Sequence, residues 1–362
     1  MSPHPITHLS IEGFQSIRRL DHFELGSINV LIGANGVGKS NFVNFFRMLG
    51  ELVEERLQIW TRERGGSDRL LTYGIKQTPR LTSTIAFGQN AYSFQLKPTV
   101  DGAFVFEDER VFFYGDFTTD RFFGSGHAEA RLKELTSLQG VERYCYEAIS
   151  NWRVFHFHDT SDTATVKRMG KLHDNKRLRS DASNLAAYLY HLRERFPQSY
   201  ELIRKTVRLA IHFFDDFILD PEEILPDEYL IQLRWRQKDS DYDLLPSQLS
   251  DGSLRFMCLA TALLQPNPPS SLILDEPELG LHPYAIGLLG ALVRSASQRM
   301  QIILSTQSVA LLNQFQLEQV IVVEREAGVS VFKRLEPREF ESWLENYTIG
   351  ELWEQNILGG RP

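Results

Sequence analysis

One short stretch near the start of the chain has the residue types and spacing of a phosphate-binding loop. Residues 33–40, Gly-Ala-Asn-Gly-Val-Gly-Lys-Ser, fill every fixed position of the pattern G-x-x-x-x-G-K-[ST]. Glycines let the backbone approach an anion closely, and the N–H groups at a helix start attract negative charge. In this pattern the lysine reaches the β- and γ-phosphates, and the serine hydroxyl is a ligand of Mg²⁺. The stretch therefore predicts a site for a nucleotide with Mg²⁺.

The segments on either side support this interpretation. Residues 27–32 are aliphatic and β-branched, as in a buried strand, and residues 40–49 have apolar side chains at helical spacing. The alternative is a chance glycine turn with a surface lysine. Such a turn would not need a buried strand before it and a helix after it. The residues assigned to nucleotide binding here are Gly33, Asn35, Gly36, Val37, Gly38, Lys39, Ser40 and Asn41.

A second candidate lies far along the chain. Residues 271–276, Ser-Leu-Ile-Leu-Asp-Glu, are an aliphatic run that ends in two acids, which is typical of a strand buried in a parallel sheet. We expect Asp275 to ligate Mg²⁺ together with Ser40, and Glu276 to polarise an attacking water. The long separation of this run from Lys39 predicts a large insert between the two parts of the site.

A third candidate comes shortly before this acidic run. Ser250, Asp251 and Gly252 precede a helical apolar run, so that a hydroxyl, bare backbone amides and a helix start lie together. An ordinary helix N-cap would use the same residues. Their position before the acidic strand favours a second anion site, because ABC-type ATPases have this layout.

Composition restricts the class of protein. The 362 residues carry a net charge of −8 and are 42% hydrophobic, so a globular protein is predicted rather than one that coats nucleic acid. The two cysteines suggest neither a disulfide framework nor a metal site, which predicts a cytoplasmic protein. No apolar run reaches membrane-spanning length, and no signal peptide is recognised. Residues 167–179 form a basic stretch, for which a solvated surface is favoured over contact with DNA phosphates.

Hydrophobic periodicity gives a coarse plan of the elements. Strands are predicted near residues 6–14 and 23, and three more, at residues 81–88, 91–97 and 103–114, should form an antiparallel meander. Helical spacing follows the phosphate-binding pattern to about residue 58 and returns at residues 127–149, 185–192 and 198–212. Further strands are predicted at residues 151–158, 213–219 and 228–236.

On these motifs the chain resembles the ATPase heads of SMC and RecF proteins. These heads are ABC-type members of the broad prokaryotic AAA family, which includes OLD-like and abortive-infection proteins. Residues 249–255 resemble the signature motif, 275–283 resemble Walker B and the D-loop, and 301–308 resemble the switch strand. Residues 11–17 resemble the opening strand, and 343–360 resemble the tail of stand-alone ATPases found beside a nuclease-like gene in phage-defence loci.

The resemblance implies an α/β P-loop NTPase fold of ABC/SMC-head type, with a mixed central sheet, an antiparallel β layer and an inserted helical subdomain. The implied domain bounds are an ATP-binding lobe at 1–75 and 240–335, a β layer at 76–126, an insert at 127–239 and a tail at 336–362. The implied activity is ATP hydrolysis with Mg²⁺ in a homodimer, controlling a separately encoded nuclease-like effector in antiphage defence.

Within this scheme Lys39, Glu276 and Gln307 are the catalytic residues, with Gln307 as the γ-phosphate sensor, and Ser250 and Gly252 act on the nucleotide of the other subunit. Asp251 stands where many signature motifs have glycine, Gln307 stands where transporters have histidine, and a Q-loop glutamine is not recognised. These departures imply slow turnover. A RecF-like ATPase that binds DNA directly is the alternative function, and a transporter subunit fits less well.

Overall fold

The computed structural model describes residues 4–115, 118–137, 140–157 and 159–361, without the side chains of 136 and 137. The chain divides into two compact units. The first unit contains residues 1–154, 269–273 and 300–362, and the second contains residues 155–268 and 274–299. These units are groups of mutual contact. The functional bounds predicted from the sequence stay a prediction.

The helices and strands follow in chain order. The strands are β1 (His8–Phe14), β2 (Ile17–Glu24), β3 (Ile28–Ile32), β4 (Leu81–Phe87), β5 (Asn90–Pro98), β6 (Phe104–Tyr114), β7 (Thr118–Phe122), β8 (Arg153–Phe155), β9 (Gly170–Lys171), β10 (Phe214–Ile218), β11 (Glu222–Leu225), β12 (Glu228–Ile231), β13 (Arg234–Gln237), β14 (Asp243–Leu244), β15 (Ser271–Asp275), β16 (Gln301–Ser305), β17 (Val320–Glu326) and β18 (Val329–Arg334). The α-helices are α1 (Lys39–Val53), α2 (Leu57–Glu63), α3 (Ser67–Leu70), α4 (Val141–Ser150), α5 (Leu185–Arg195), α6 (Pro197–Ala210), α7 (Asp251–Leu264), α8 (Pro283–Ala296), α9 (Val309–Leu312), α10 (Glu341–Leu344) and α11 (Ile349–Glu354).

The first unit contains an antiparallel sheet with strand order β2-β1-β4-β5-β6-β7. Buried and partly buried residues alternate along β4, as expected for a strand with one face in the core. The strands predicted near residues 6–14 and 23 pair as a hairpin of β1 and β2, the predicted meander is confirmed, and the two join through the pairing of β1 with β4. This sheet is the antiparallel β layer.

The second sheet has the order β18-β17-β3-β16-β15-β8. Most of it lies in the first unit, which includes residues 153–154 of β8 and residues 271–273 of β15. β3 pairs in parallel with both β16 and β17, while β18 is antiparallel to β17. All five residues of β3 are buried, because β3 has a paired strand on each side and both of its faces are covered. This is the predicted mixed central sheet, with β3 inside it.

Two predicted helices differ from the observed ones. α1 ends at Val53 rather than near residue 58, and the short helix α2 follows. In residues 127–149 the structure has a 3₁₀ turn at Glu134–Ser137 and then α4. The cause is the fully buried carboxylate of Glu109, which accepts hydrogen bonds from His127 Nε2 (2.7 Å) and the Arg131 backbone N–H (3.0 Å). These bonds hold the start of the segment in an irregular course of bends and turns.

The second unit combines helices α5 to α8 with two small sheets, ordered β10-β13-β14 and β11-β12-β9. α5 and α6 confirm the two helices predicted at 185–192 and 198–212. The single strand predicted at residues 228–236 is two strands, because β12 pairs with β9 and β11 while β13 pairs with β10 and β14. Gln232 and Leu233 separate the two sheets.

Both cysteines, Cys145 and Cys258, are buried free thiols. Burial raises the pKa of Cys258 to about 12, so its reactive thiolate form is scarce at neutral pH. In the part of the chain that the structure describes, none of the helices has the length and apolar character needed to span a bilayer.

Candidate functional site

The loop at residues 33–40, called the glycine loop below, leads from β3 into α1 and needs its glycines. Gly36 and Gly38 have φ angles of 77° and 116°, which residues with a Cβ atom rarely adopt. A Cβ atom on Gly38 would lie 2.6 Å from the Ser16 hydroxyl oxygen, and one on Gly33 would collide with the Val323 carbonyl oxygen. The glycines therefore allow both the turn and the close packing behind it.

The Lys39 side chain lies inside this loop. Only 5% of the residue is exposed. Its ammonium Nζ donates hydrogen bonds to the carbonyl oxygens of Gly33 (2.5 Å) and Ala34 (3.0 Å). The cation thus stabilises the curvature of the backbone around it.

The outer side of the glycine loop is open to a ligand. Asn35, Gly36 and Ser40 are exposed, and a Cβ atom on Gly36 would meet nothing within 4 Å. α1 starts at Lys39, so its first backbone N–H groups have no partner inside the helix. Backbone N–H groups, an ammonium and a hydroxyl are the groups that bind a polyphosphate and its Mg²⁺. The residues of the glycine loop therefore fit both.

Two serines distant in sequence support the glycine loop from behind. Asn41 Nδ2 donates to Ser16 Oγ (2.6 Å), Ser16 Oγ lies 2.6 Å from Ser330 Oγ, and Ser330 Oγ donates to the Val37 carbonyl (2.5 Å). The Asn41 amide is thus engaged with Ser16, although the sequence pattern assigned this residue to the nucleotide. Sequence reasoning missed both serines, because β18 and the β1–β2 turn carry no local signal of this contact.

Gln307, the predicted sensor, also lies at the glycine loop. It follows β16, and its Nε2 donates a 2.7 Å hydrogen bond to Asn35 Oδ1. Ser308 Oγ then caps α9 by accepting from the Leu311 N–H. The fold thus brings together two side chains that the sequence separately assigned to the nucleotide.

In the second unit, Ser250 is the N-cap of α7. Its Oγ accepts a hydrogen bond from the Ser253 N–H (3.2 Å) and donates to Ser253 Oγ (2.8 Å). Ser250 and Asp251 are exposed. The ordinary cap is therefore present, and it leaves these residues at the surface.

Gly252 has a packing reason to be glycine. A Cβ atom there would collide with the carbonyl oxygen of Gly280, so the first turn of α7 lies directly on residues 276–281. Arg255, only 8% exposed, crosses the same contact by donating from Nε to the Phe157 carbonyl (2.8 Å) and from Nη1 to the Leu279 carbonyl. Burial lowers the pKa of its guanidinium from the usual value.

Glu276 has an unusual backbone. Its φ angle of 43° lies in the left-handed region, which is strained for a residue of this kind. Beside it is a cavity of about 10 Å³, lined by Asp275, Glu276 and Arg255 together with apolar side chains from β8, α7 and β15. This volume is about that of one water position. Strained backbone often occurs at functional sites, and no residue pattern near Glu276 predicted it.

Asp275 and Ser40 belong to different units, and their joint role at Mg²⁺ stays a prediction. Among the described ranges, no group of three or more His, Cys, Asp or Glu residues is arranged to hold a metal ion. Mg²⁺ is commonly held by one or two carboxylates with substrate phosphates rather than by an all-protein cage, so a nucleotide-dependent site is compatible with this finding.

The basic stretch at residues 167–179 borders a cavity of about 510 Å³, called the basic cavity below. Lys167 does not contribute to it, because this residue is 9% exposed and its Nζ faces Asp162 at 3.7 Å. Arg179 is paired with Asp174 (2.6 Å). The wall of the basic cavity carries the charged and imidazole side chains of Arg168, Lys171, His173, Asp174 and Arg179.

Comparison with known families decides the identity of the fold. Residues 28–313 match the family model described as "AAA domain, putative AbiEii toxin, Type IV TA system". The chain belongs to this AAA family. Membership implies nucleotide binding, typically with Mg²⁺. A search of the curated proteins found no match.

Two solved structures share the fold of this AAA-family chain. An SMC head bound to the C-winged helix domain of ScpA has 16% identity and a TM-score of 0.56, covering 92% of this chain and 99% of that one. An Smc head from Pyrococcus furiosus, with an extended coiled coil and bound to the C-terminal domain of ScpA, has 13% identity and a TM-score of 0.57. That match covers 94% of this chain and 98% of the other. The predicted α/β P-loop fold of SMC-head type is confirmed.

Proposed function

We propose that this AAA-family chain binds ATP with Mg²⁺, hydrolyses it as a dimer of two copies, and thereby controls a separately encoded nuclease-like effector in antiphage defence. The observation that carries the nucleotide site is the glycine loop, in which Gly33 and Gly38 leave no room for a Cβ atom and Lys39 is enclosed by the curved backbone. Such a closely packed loop with an enclosed lysine is expected where a polyphosphate binds on the exposed side of the loop.

In this proposal each residue of the glycine loop has a stated task. The backbone N–H groups from Gly33 to Gly38 bind the phosphates, Lys39 offsets their negative charge, and Gln307 reports the γ-phosphate through its contact with Asn35. Ser40 and Asp275 are the proposed protein ligands of Mg²⁺, which when bound neutralises phosphate charge.

Glu276 is the proposed base. Its carboxylate orients the attacking water and takes up the proton that the water loses. The small cavity beside it supports this role, because it has room for about one water and its lining includes the polar residues Arg255 and Asp275 beside Glu276. The strained φ angle of Glu276 is consistent with a side chain held in a required direction.

We further propose that Ser250 and Asp251 face the nucleotide of the second copy. Both are exposed at the start of a helix, and α7 is long enough to present a helix N-terminus to an anion. The hydroxyl and the helix start would add donors to the γ-phosphate that the glycine loop alone does not supply.

Mixed dimers test this sharing. Ser250→Asp keeps the N-cap but adds a negative charge toward the nucleotide, so hydrolysis should fall about 10²-fold, while Ser250→Asn keeps the cap without the charge and should fall less. Mixing Ser250→Asp chains with Lys39→Ala chains should recover hydrolysis, because one composite site in each mixed dimer is intact. Phosphate release is measured after mixing.

The control mixes Lys39→Ala chains with chains that carry both substitutions, for which no intact site can form. Mixed dimers are verified by tag capture. Verified mixed dimers that remain as inactive as this control would contradict the shared site.

Direct DNA binding is the second candidate function, and the basic cavity favours it. Arg168 and Lys171 are exposed on its wall, where they can contact phosphates. If DNA binds there, an Arg168→Gln/Lys171→Gln chain should lose about one to two units of the slope of log K against log salt. Lys238→Gln, an exposed cation of the same unit, is the control.

An unchanged slope, together with ATP-dependent co-purification of a neighbouring nuclease-like gene product, would favour the effector model instead. A reduced slope without such co-purification would favour the DNA-binding model.

A further inference from the structure

Residues 349–360, called the tryptophan strap below, reach the start of the glycine loop, where Gly360 lies beside Gly33. Trp353 is fully buried, and its Nε1 donates a 2.7 Å hydrogen bond to the carbonyl oxygen of Gly360. Gly359 and Gly360 have φ angles of 80° and 60°, so the backbone turns sharply beneath the indole. The tryptophan therefore holds a tight two-glycine turn in one position.

This turn rests directly on the start of the glycine loop. The Gly360 N–H donates to Glu324 Oε1 (2.8 Å), and Glu324 lies on β17, the parallel neighbour of β3. A Cβ atom on Gly360 would lie 3.4 Å from the Cα of Gly33 and 2.7 Å from a methyl group of Val322. The Gly360 backbone therefore lies within contact range of Gly33, and a side chain at Gly360 would displace Val322.

The other end of the strap contacts α9, the helix that follows Gln307. The Gly350 N–H donates to Asn313 Oδ1 (2.7 Å), and a Cβ atom on Gly350 would collide with Val309. Gln307, which precedes α9, also donates to Asn35 of the glycine loop. The tryptophan strap therefore contacts both the start of the glycine loop and the helix that follows Gln307.

We propose that the tryptophan strap is a positioning element of the nucleotide site, with Trp353 and Gly360 acting through Gly33. The inference rests on the proposed nucleotide function and names residues beyond the phosphate-binding pattern. The Gly33 carbonyl is one of the two acceptors of Lys39, so a shift of Gly33 moves the lysine as well as the backbone N–H groups. The strap thus sets how well the loop fits the β-phosphate.

Gly360→Ala tests this most directly, with Gly88→Ala as its matched control. Both glycines have φ near +60°, but Gly88 has nothing within 4 Å of its Cβ position. Both variants carry similar backbone strain, while only Gly360→Ala places a methyl group against Val322 (2.7 Å) and in contact with Gly33 (3.4 Å). We expect ADP binding, measured with a fluorescent ADP analogue, to weaken roughly tenfold in Gly360→Ala and to stay unchanged in Gly88→Ala.

Glu324 supplies a second, conservative test. Glu324→Gln keeps an oxygen acceptor for the Gly360 N–H and should bind ADP nearly as the natural chain does, whereas Glu324→Ala should lose affinity. Trp353→Phe removes the indole donor and should resemble Glu324→Ala. Rescue by glutamine distinguishes positioning from a general loss of packing, and thermal unfolding confirms that each variant is folded.

The outcomes separate the two proposals. If the natural chain binds no ADP, or binds it equally with Lys39 replaced, the nucleotide function fails. If the natural chain binds ADP through Lys39 but folded Gly360→Ala and Glu324→Ala bind it equally well, the positioning role of the strap is wrong.

Discussion

Replacing Glu276 by glutamine is expected to leave ATP binding intact and to lower the rate of ATP hydrolysis by about 10²-fold or more. Glutamine has nearly the same shape but cannot accept a proton from the attacking water at neutral pH. It should therefore keep the packing of residues 276–281 while losing the chemistry. Phosphate release and nucleotide affinity, measured on the same preparation, separate these two effects.

Glu276→Asp is the companion variant. Aspartate tolerates the left-handed backbone found at this position and keeps a carboxylate that is one methylene shorter. We expect its rate to lie between those of the natural chain and Glu276→Gln. An unchanged rate in Glu276→Gln would show that another group accepts the proton.

Replacing Lys39 by methionine is expected to weaken nucleotide binding by about 10²-fold, and hydrolysis should become undetectable. The methionine keeps much of the buried stem but removes the ammonium, which donates to Gly33 and Ala34. A hydrogen bond from a charged group contributes about 1.5–3 kcal/mol, which corresponds to roughly one to two orders of magnitude in affinity. Titration with a fluorescent nucleotide measures the loss.

Lys76→Met serves as the control, because Lys76 is an exposed lysine of the same unit. It should bind nucleotide like the natural chain. Equal affinities of Lys39→Met, Lys76→Met and the natural chain would contradict a phosphate site at the glycine loop.

The parts of the fold that depend on neighbouring residues could be predicted from the sequence. The strand before the glycine loop and the helix after it are encoded within residues 27–49, and the antiparallel meander follows from its alternating pattern. Short turns and regular periodicity are local properties, so one sequence suffices to recognise them.

The parts of the fold that depend on contacts between distant residues could not be predicted from the sequence. Glu109 binds the first part of a predicted helix in an irregular course of bends and turns, because a buried carboxylate requires donors wherever the chain can supply them. Nothing near Ser330 indicates that it would support the backbone of Val37. Lys167 belongs to a basic run but is buried, which its charge alone would not suggest.

The contact of Gly252 with Gly280 has a mechanical consequence. Two backbones in direct touch, without side chains between them, leave no slack to absorb a small displacement. Arg255 adds hydrogen bonds on the same side, so the beginning of α7 and the segment after Glu276 shift as one rigid piece. A displacement of Ser250 at the start of α7 would therefore also displace the backbone next to Glu276.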